Sequence, residues 1–174
     1  LSLFLFIKFG LSLKYFIYFA FFASLLLISC IDLAHRIIPD ILSLPGIAIG
    51  IALSIPGWSV PFTVSITGVC LGALIPAFVA YGYYFFTKRE GLGGGDIKLL
   101  AMIGAFVGWE GVLFTLVAGS LLGCIIGVFV ISLKSAGRFY EIPFGPFLAL
   151  GTLVYMFYGN ILLNWYFDTL HALV

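Results

Sequence analysis

Apolar residues fill this chain in blocks of roughly twenty, the length of a membrane crossing, and short polar or glycine-rich interruptions separate them. The block 11–31 reads as a first helix, with residues 1–10 as its flank or as the tail of an upstream helix. Proline fits the first turn of a helix and aspartate caps one, so Pro39-Asp40 opens a second helix over about 41–55, which Pro56-Gly57 closes. Trp58 then stands where an interfacial anchor belongs. A third span covers 60–86, with Gly68, Gly72 and Ala73 leaving room for close helix contact and Pro76 expected to kink it. After a charged connection and a run of glycines comes a fourth helix over about 97–107, then a turn at Gly108-Trp109-Glu110-Gly111. Spans at 112–133 and 144–165 follow, joined by 134–143. The pattern predicts an all-α, polytopic integral membrane protein with about six transmembrane helices in a single membrane-embedded domain over 1–174.

The fourth helix is the anomaly. At 1.5 Å per residue it reaches only about 16 Å, half of a hydrocarbon core of roughly 30 Å. Either its glycine-rich entrance dips into the membrane or the bilayer thins there, and irregular backbone at such depth requires protein or water around it. Both options place the acidic residue at its start, Asp96, beside a wet cleft. The stretch Gly91-Leu92-Gly93-Gly94-Gly95-Asp96 is thus expected to admit another chain. Glycines let a backbone approach closely or take up positive φ, and a carboxylate at a helix N-terminus is held by free N–H groups.

Composition sharpens this picture. With 63% hydrophobic and 9% charged residues and a mean hydropathy of +1.25, the chain lies far from soluble domains, where roughly 25% of residues are charged. A net charge of +1 offers no basic surface for nucleic acid. Cys30, Cys70 and Cys124 form no CxxC pair and read as small buried hydrophobes. No basic segment followed by a small-residue cleavage site is visible, so no removable signal peptide is expected.

If each helix crosses once, the connections after the first, third and fifth share one face. That face carries Arg36, Lys88, Arg89, Lys98, Lys134 and Arg138, and the positive-inside rule makes it cytoplasmic. Asp32 and Asp96 arrive at the same boundary. Asp40 and Glu110 have ordinary explanations, a cap and a polar turn. Asp32 does not, because it ends a helix, where the dipole disfavours an anion. Two carboxylates meeting in a partly desolvated cleft oppose double ionisation and share one proton near neutrality, one serving as base and the other as acid. The N-terminus of the fourth helix favours Asp96 as the ionised member. That is aspartic-protease chemistry. A Ser/His/Asp site is excluded by the placement of His35 and His171, and a metallopeptidase by the lack of histidines at ligand spacing. A P-loop is excluded because no Ser or Thr follows Lys98.

Ile31-Asp32 with Ile38-Pro39-Asp40, Gly93-Gly94-Gly95-Asp96 within GLGGGDIKLL, and Ile142-Pro143-Phe144-Gly145-Pro146-Phe147-Leu148-Ala149 closely resemble the type IV prepilin peptidases, membrane aspartic proteases of the GxGD type. The resemblance covers nearly the whole chain. It implies that Asp32 and Asp96 are catalytic, and that the substrates are type IV prepilins or type II secretion pseudopilins whose basic leader is cut at the inner, cytoplasmic membrane boundary. From their positions, Gly93, Gly94 and Gly95 are expected to line the approach and Lys98 to hold the loop near Asp96. Asp40, with Glu90 and Glu141, is expected to attract the basic leader. Many members also carry an N-terminal zinc-binding domain with two CxxC pairs and methylate the new amine with S-adenosylmethionine. That domain is expected to be absent here, so no metal or cofactor is expected for proteolysis, and S-adenosylmethionine only with an upstream domain. The alternative is an ion-coupled transporter or channel with a broken helix, which calls for paired breaks and polar residues at mid-membrane depth. A noncatalytic scaffold would tolerate loss of either aspartate.

Overall fold

The computed structural model describes residues 1–88, 92–134 and 143–173, and within them all side chains except those at 130–134, 160 and 162–173. It is all helix among the described residues: α1 Ser2–Phe9, α2 Leu13–His35, α3 Asp40–Ser54, α4 Phe62–Thr87, α5 Gly94–Lys134 and α6 Gly145–Leu173. By length and composition alone, α2, α4 and the stretch Gly94–Phe129 qualify as membrane spans, while Asp40–Ser54 and Gly145–Gly159 are shorter apolar helices. The protein is a polytopic membrane protein.

The proline signals act as expected at the helix starts. Pro39 and Pro61 precede α3 and α4 in extended conformation. Pro39 is itself the N-cap, so Asp40 becomes the first helical residue rather than a cap. Arg36 and Lys88 end α2 and α4 in the left-handed conformation, and the Arg36 N–H closes the last turn of α2 on the Asp32 carbonyl at 2.8 Å. The helix α4 continues through Pro76. The first residues form α1, which folds back so that Leu5 is buried, Phe9 stacks on Tyr18 and the Lys8 ammonium donates to the Met156 carbonyl of α6.

The expected fourth and fifth helices are the two arms of α5. They meet at Gly108, where φ 78° and ψ −178° define a backbone conformation that only glycine adopts easily. The contacts show that the chain reverses there. In the first arm Gly104 packs on Gly68 and Leu100 on Gly72, so that arm runs antiparallel to α4. In the second arm Gly111 meets Tyr155, Gly119 meets Leu148 and Gly123 faces Phe147, so the chain returns alongside α6 towards the end where the first arm began.

The first arm is the pillar of the bundle, with every residue from Leu99 to Gly108 buried. Phe106 stacks on Phe21 of α2 at 4.4 Å between ring centroids, Gly46 of α3 leaves room for Met102, and the Ser65 hydroxyl of α4 donates to the Ala105 carbonyl at 2.9 Å. An arm of 14 residues, about 21 Å long by helical rise, is tolerated because protein, not lipid, surrounds it. The surrounding helices form a single layer whose outer faces are apolar: Ile41 is 80% exposed, Phe78 82% and Phe86 86%. The expectation for the cysteines is corrected by the same arrangement. Cys30, Cys70 and Cys124 are exposed free thiols on outward helix faces, where a small apolar side chain suits hydrocarbon as well as a core does.

Candidate active site

The end of α2, the start of α5 and the start of α6 converge at one end of the bundle. Asp32, in the last turn of α2, is 5% exposed. Its own helix presents carbonyl groups there, and the compensation comes from α6: the Gly145 N–H donates to Asp32 Oδ2 at 2.8 Å. Asp96 is the third residue of α5 and half-buried. Its carboxylate reaches back to accept a hydrogen bond from the N–H of Gly93, the residue before the helix, and its own N–H donates to the Gly93 carbonyl at 3.1 Å. This is one half of a capping box. The two carboxylates lie close enough for the charge of Asp32 to act on Asp96.

Two further contacts tie the segments that carry them. Ile38, between α2 and α3, is buried against Gly95, where an added β-carbon would come within 2.8 Å of the Ile38 Cβ. Lys98 Nζ pairs with both oxygens of Asp40 at 2.7 Å. Lys98 therefore anchors the start of α3 to the start of α5 instead of holding the glycine stretch near Asp96. Asp40 is correspondingly neutralised as an attractor for a basic leader. Glu90 and Glu141, the other two expected attractors, lie outside the described residues.

The glycines also differ from expectation. Gly94 and Gly95 belong to the first turn of α5, and none of Gly93, Gly94 and Gly95 takes a positive φ. Only Gly95 is required by a neighbour; Gly94 has open space around its α-carbon. Gly93 and Gly94 are exposed beside Asp96 and form the approach to it. The residue that inspection of the sequence did not single out is Gly145. It stood within the quoted Ile142–Ala149 motif, but nothing local to that motif shows that its N–H meets a carboxylate on a helix far upstream.

A groove of 450 Å³ lies elsewhere, between α2 and α3, lined by Phe16, Ile17, Leu42, Pro45 and Ile49 with Met102 and Phe106 as its floor. It is almost wholly apolar and holds neither aspartate.

A membrane-embedded helical bundle that gathers two aspartates at one end, one of them behind a Gly-Gly-Gly run, has the form of a membrane aspartic peptidase. The profile of the type IV leader peptidase family matches residues 19–128, and the chain belongs to that family. It is 34% identical over 146 residues to a prepilin leader peptidase/N-methyltransferase of Aeromonas salmonicida, covering 84% of this chain and 50% of that protein. Proteins of the same name from Legionella pneumophila and Pseudomonas aeruginosa are 35% identical over 169 residues and 36% over 137. These alignments cover 95% and 79% of this chain, and 58% and 47% of the two relatives. The chain thus spans about half the length of the curated relatives it matches. No solved structure matches it.

Proposed function

We propose that this protein is an aspartic endopeptidase that cleaves the leader from type IV prepilins or pseudopilins at the cytoplasmic boundary of the inner membrane. The observation that carries the reading is the convergence of Asp32 and Asp96, each with an oxygen held by a glycine N–H at a helix start. Family membership supports a peptidase over an ion-coupled transporter or channel. The backbone reverses at Gly108 between the two packed arms of α5, whereas a transporter uses paired broken helices.

The pair shares one proton, and the ionised carboxylate takes a proton from a water molecule whose oxygen attacks the scissile carbonyl carbon. The protonated partner gives its proton to the carbonyl oxygen, forming a gem-diol. Collapse of that intermediate breaks the C–N bond as the nitrogen takes a proton from the carboxyl that received one from water, while one diol hydroxyl gives its proton to the other, now ionised, carboxylate. The leader leaves with a new carboxyl group and the mature chain with a new amine, and the pair again holds one proton. Neither step needs a metal or a cofactor. The N-methyltransferase activity in the relatives' names has no assigned residues in this reading.

The distribution of basic residues supports a site on the cytoplasmic side. Arg36, Lys88 and Lys98 all lie towards the end of the bundle that holds the aspartates. Incubating the detergent-solubilised protein with a prepilin-like peptide bearing a basic leader tests the assignment. Wild type is expected to release the leader and Asp96→Asn to leave the peptide intact. An uncut peptide with wild type, or equal cleavage by both proteins, would overturn the reading.

A further inference from the structure

We propose that Gly145 is the positioning residue of Asp32: its N–H, the first of α6, holds Oδ2 and thereby presents Oδ1 to the attacking water and to Asp96. This rests on the peptidase reading and adds to it a residue remote in sequence from both aspartates.

Three observations carry it. The carboxylate of Asp32 stands at the C-terminal end of α2, where free carbonyl groups and the helix dipole repel it, so a donor must come from another element. In the first turn of α6 Pro146 has no N–H and Phe147 and Leu148 donate to the Phe144 carbonyl, which leaves the Gly145 N–H in need of a partner, and the Phe144 side chain has no oxygen to offer it. Asp32 fills that place from α2, with the Gly145 N–H at 2.8 Å from Oδ2. Finally, a β-carbon at position 145 would lie 2.7 Å from Asp32 Oδ2 and 3.3 Å from its Cγ. The carboxylate is short and buried, so any side chain there must push it from its place.

The bond also restricts where the shared proton can sit. An N–H only donates, so Oδ2 stays an acceptor, and the proton resides on Asp32 Oδ1 or on Asp96. The oxygen of Asp32 that does chemistry is therefore Oδ1.

The test compares wild type, Gly145→Ala and Gly151→Ala on the leader-bearing peptide. Gly151 is the matched control, since its added methyl would press on the Thr115 carbonyl at 3.0 Å, still α6 against α5 but away from Asp32. Gly145→Ala is expected to lower kcat by about 100-fold, the scale of a displaced catalytic group, with KM within about twofold. The acidic limb of its kcat–pH profile should move to higher pH, because the lost donor stabilised the ionised carboxylate more than the neutral acid. Gly151→Ala should leave that limb where it is in wild type. Full kcat in Gly145→Ala, or an equal loss in both variants with neither profile moved, would overturn the proposal.

A readout without substitution covers the case in which Gly145→Ala does not fold. In 15N-labelled wild type, the Gly145 amide resonance is expected to shift as the carboxylate pair titrates, and a resonance indifferent to pH would overturn the proposal. That measurement does not depend on proteolysis. A wild type inactive on the peptide but with a titrating Gly145 amide would sink the peptidase reading and leave the Asp32–Gly145 pairing standing.

Discussion

Asp32 and Asp96 sit at the same end of the bundle in seats of opposite construction. Asp96 is held locally: it lies in the first turn of its own helix and accepts the N–H of the residue that opens it. Asp32 is held from a distance. It stands at the wrong end of its own helix and borrows a donor from α6. The local seat is half-exposed, beside bare glycines, whereas the borrowed seat is buried and exists only when α2 and α6 are packed. One carboxylate is accordingly fixed by secondary structure and the other by tertiary structure.

The largest expected effect treats the two seats alike. Asparagine caps a helix as well as aspartate does, so Asp32→Asn keeps an acceptor for the Gly145 N–H and Asp96→Asn one for the Gly93 N–H. If capping were their only work, both variants would be active. Each is expected instead to lose at least about 1,000-fold in peptide cleavage, within the range that acid–base groups supply, with unchanged membrane insertion and detergent-extracted yield. Activity in either variant would reduce that aspartate to a structural cap.

A smaller effect probes the local seat alone. Gly95→Ala drives a methyl into Ile38 and is expected to lower kcat by about tenfold through displacement of the α5 start. Combining it with Ile38→Gly, which removes the Cβ that the new methyl meets, should restore most of the loss. Failure of the double variant to recover would mean that Gly95 matters for something other than its contact with Ile38.

Smaller still is the Lys98–Asp40 pair, whose side chains are 39% and 56% exposed. A double-mutant cycle with Lys98→Met and Asp40→Asn, read by thermal unfolding, should give a coupling below about 1 kcal/mol, as for other solvated ion pairs. A loss of cleavage disproportionate to that coupling would return both residues to substrate binding. Least of all is Gly94→Ala. It meets open space in a helical turn, so activity should hold while stability rises by about 0.5 kcal/mol.

The difference between the seats also explains what inspection of the sequence reveals. The helices at 41–55 and 60–86 are legible because proline marks their starts and apolar length marks their extent. The short first arm of α5 is legible as too short, but its remedy, burial of Leu99–Gly108 on all sides, is a property of the assembled bundle. Asp96 announces itself through the glycines in front of it. Asp32 is conspicuous only for lacking a local explanation, and that lack points to a distant partner without naming it. The partner of Lys98 is hidden for the same reason: Asp96 is its neighbour in sequence, but its ion partner Asp40 is reached only after α3 packs against α5. The exposure of the cysteines is not legible because apolar surroundings in a membrane protein mean lipid as often as core.

The measurement that bears most directly on the account is a cross-link between positions 32 and 96. Cys30, Cys70 and Cys124 are exposed and free, so their replacement by alanine gives a background free of native thiols to carry the Asp32→Cys and Asp96→Cys substitutions together. A short bifunctional thiol reagent is expected to join this pair efficiently. The matched pair Asp32→Cys with Trp109→Cys, at the reversal beyond Gly108, should not be joined. No link between 32 and 96, or one no stronger than between 32 and 109, would contradict the convergence of the two carboxylates.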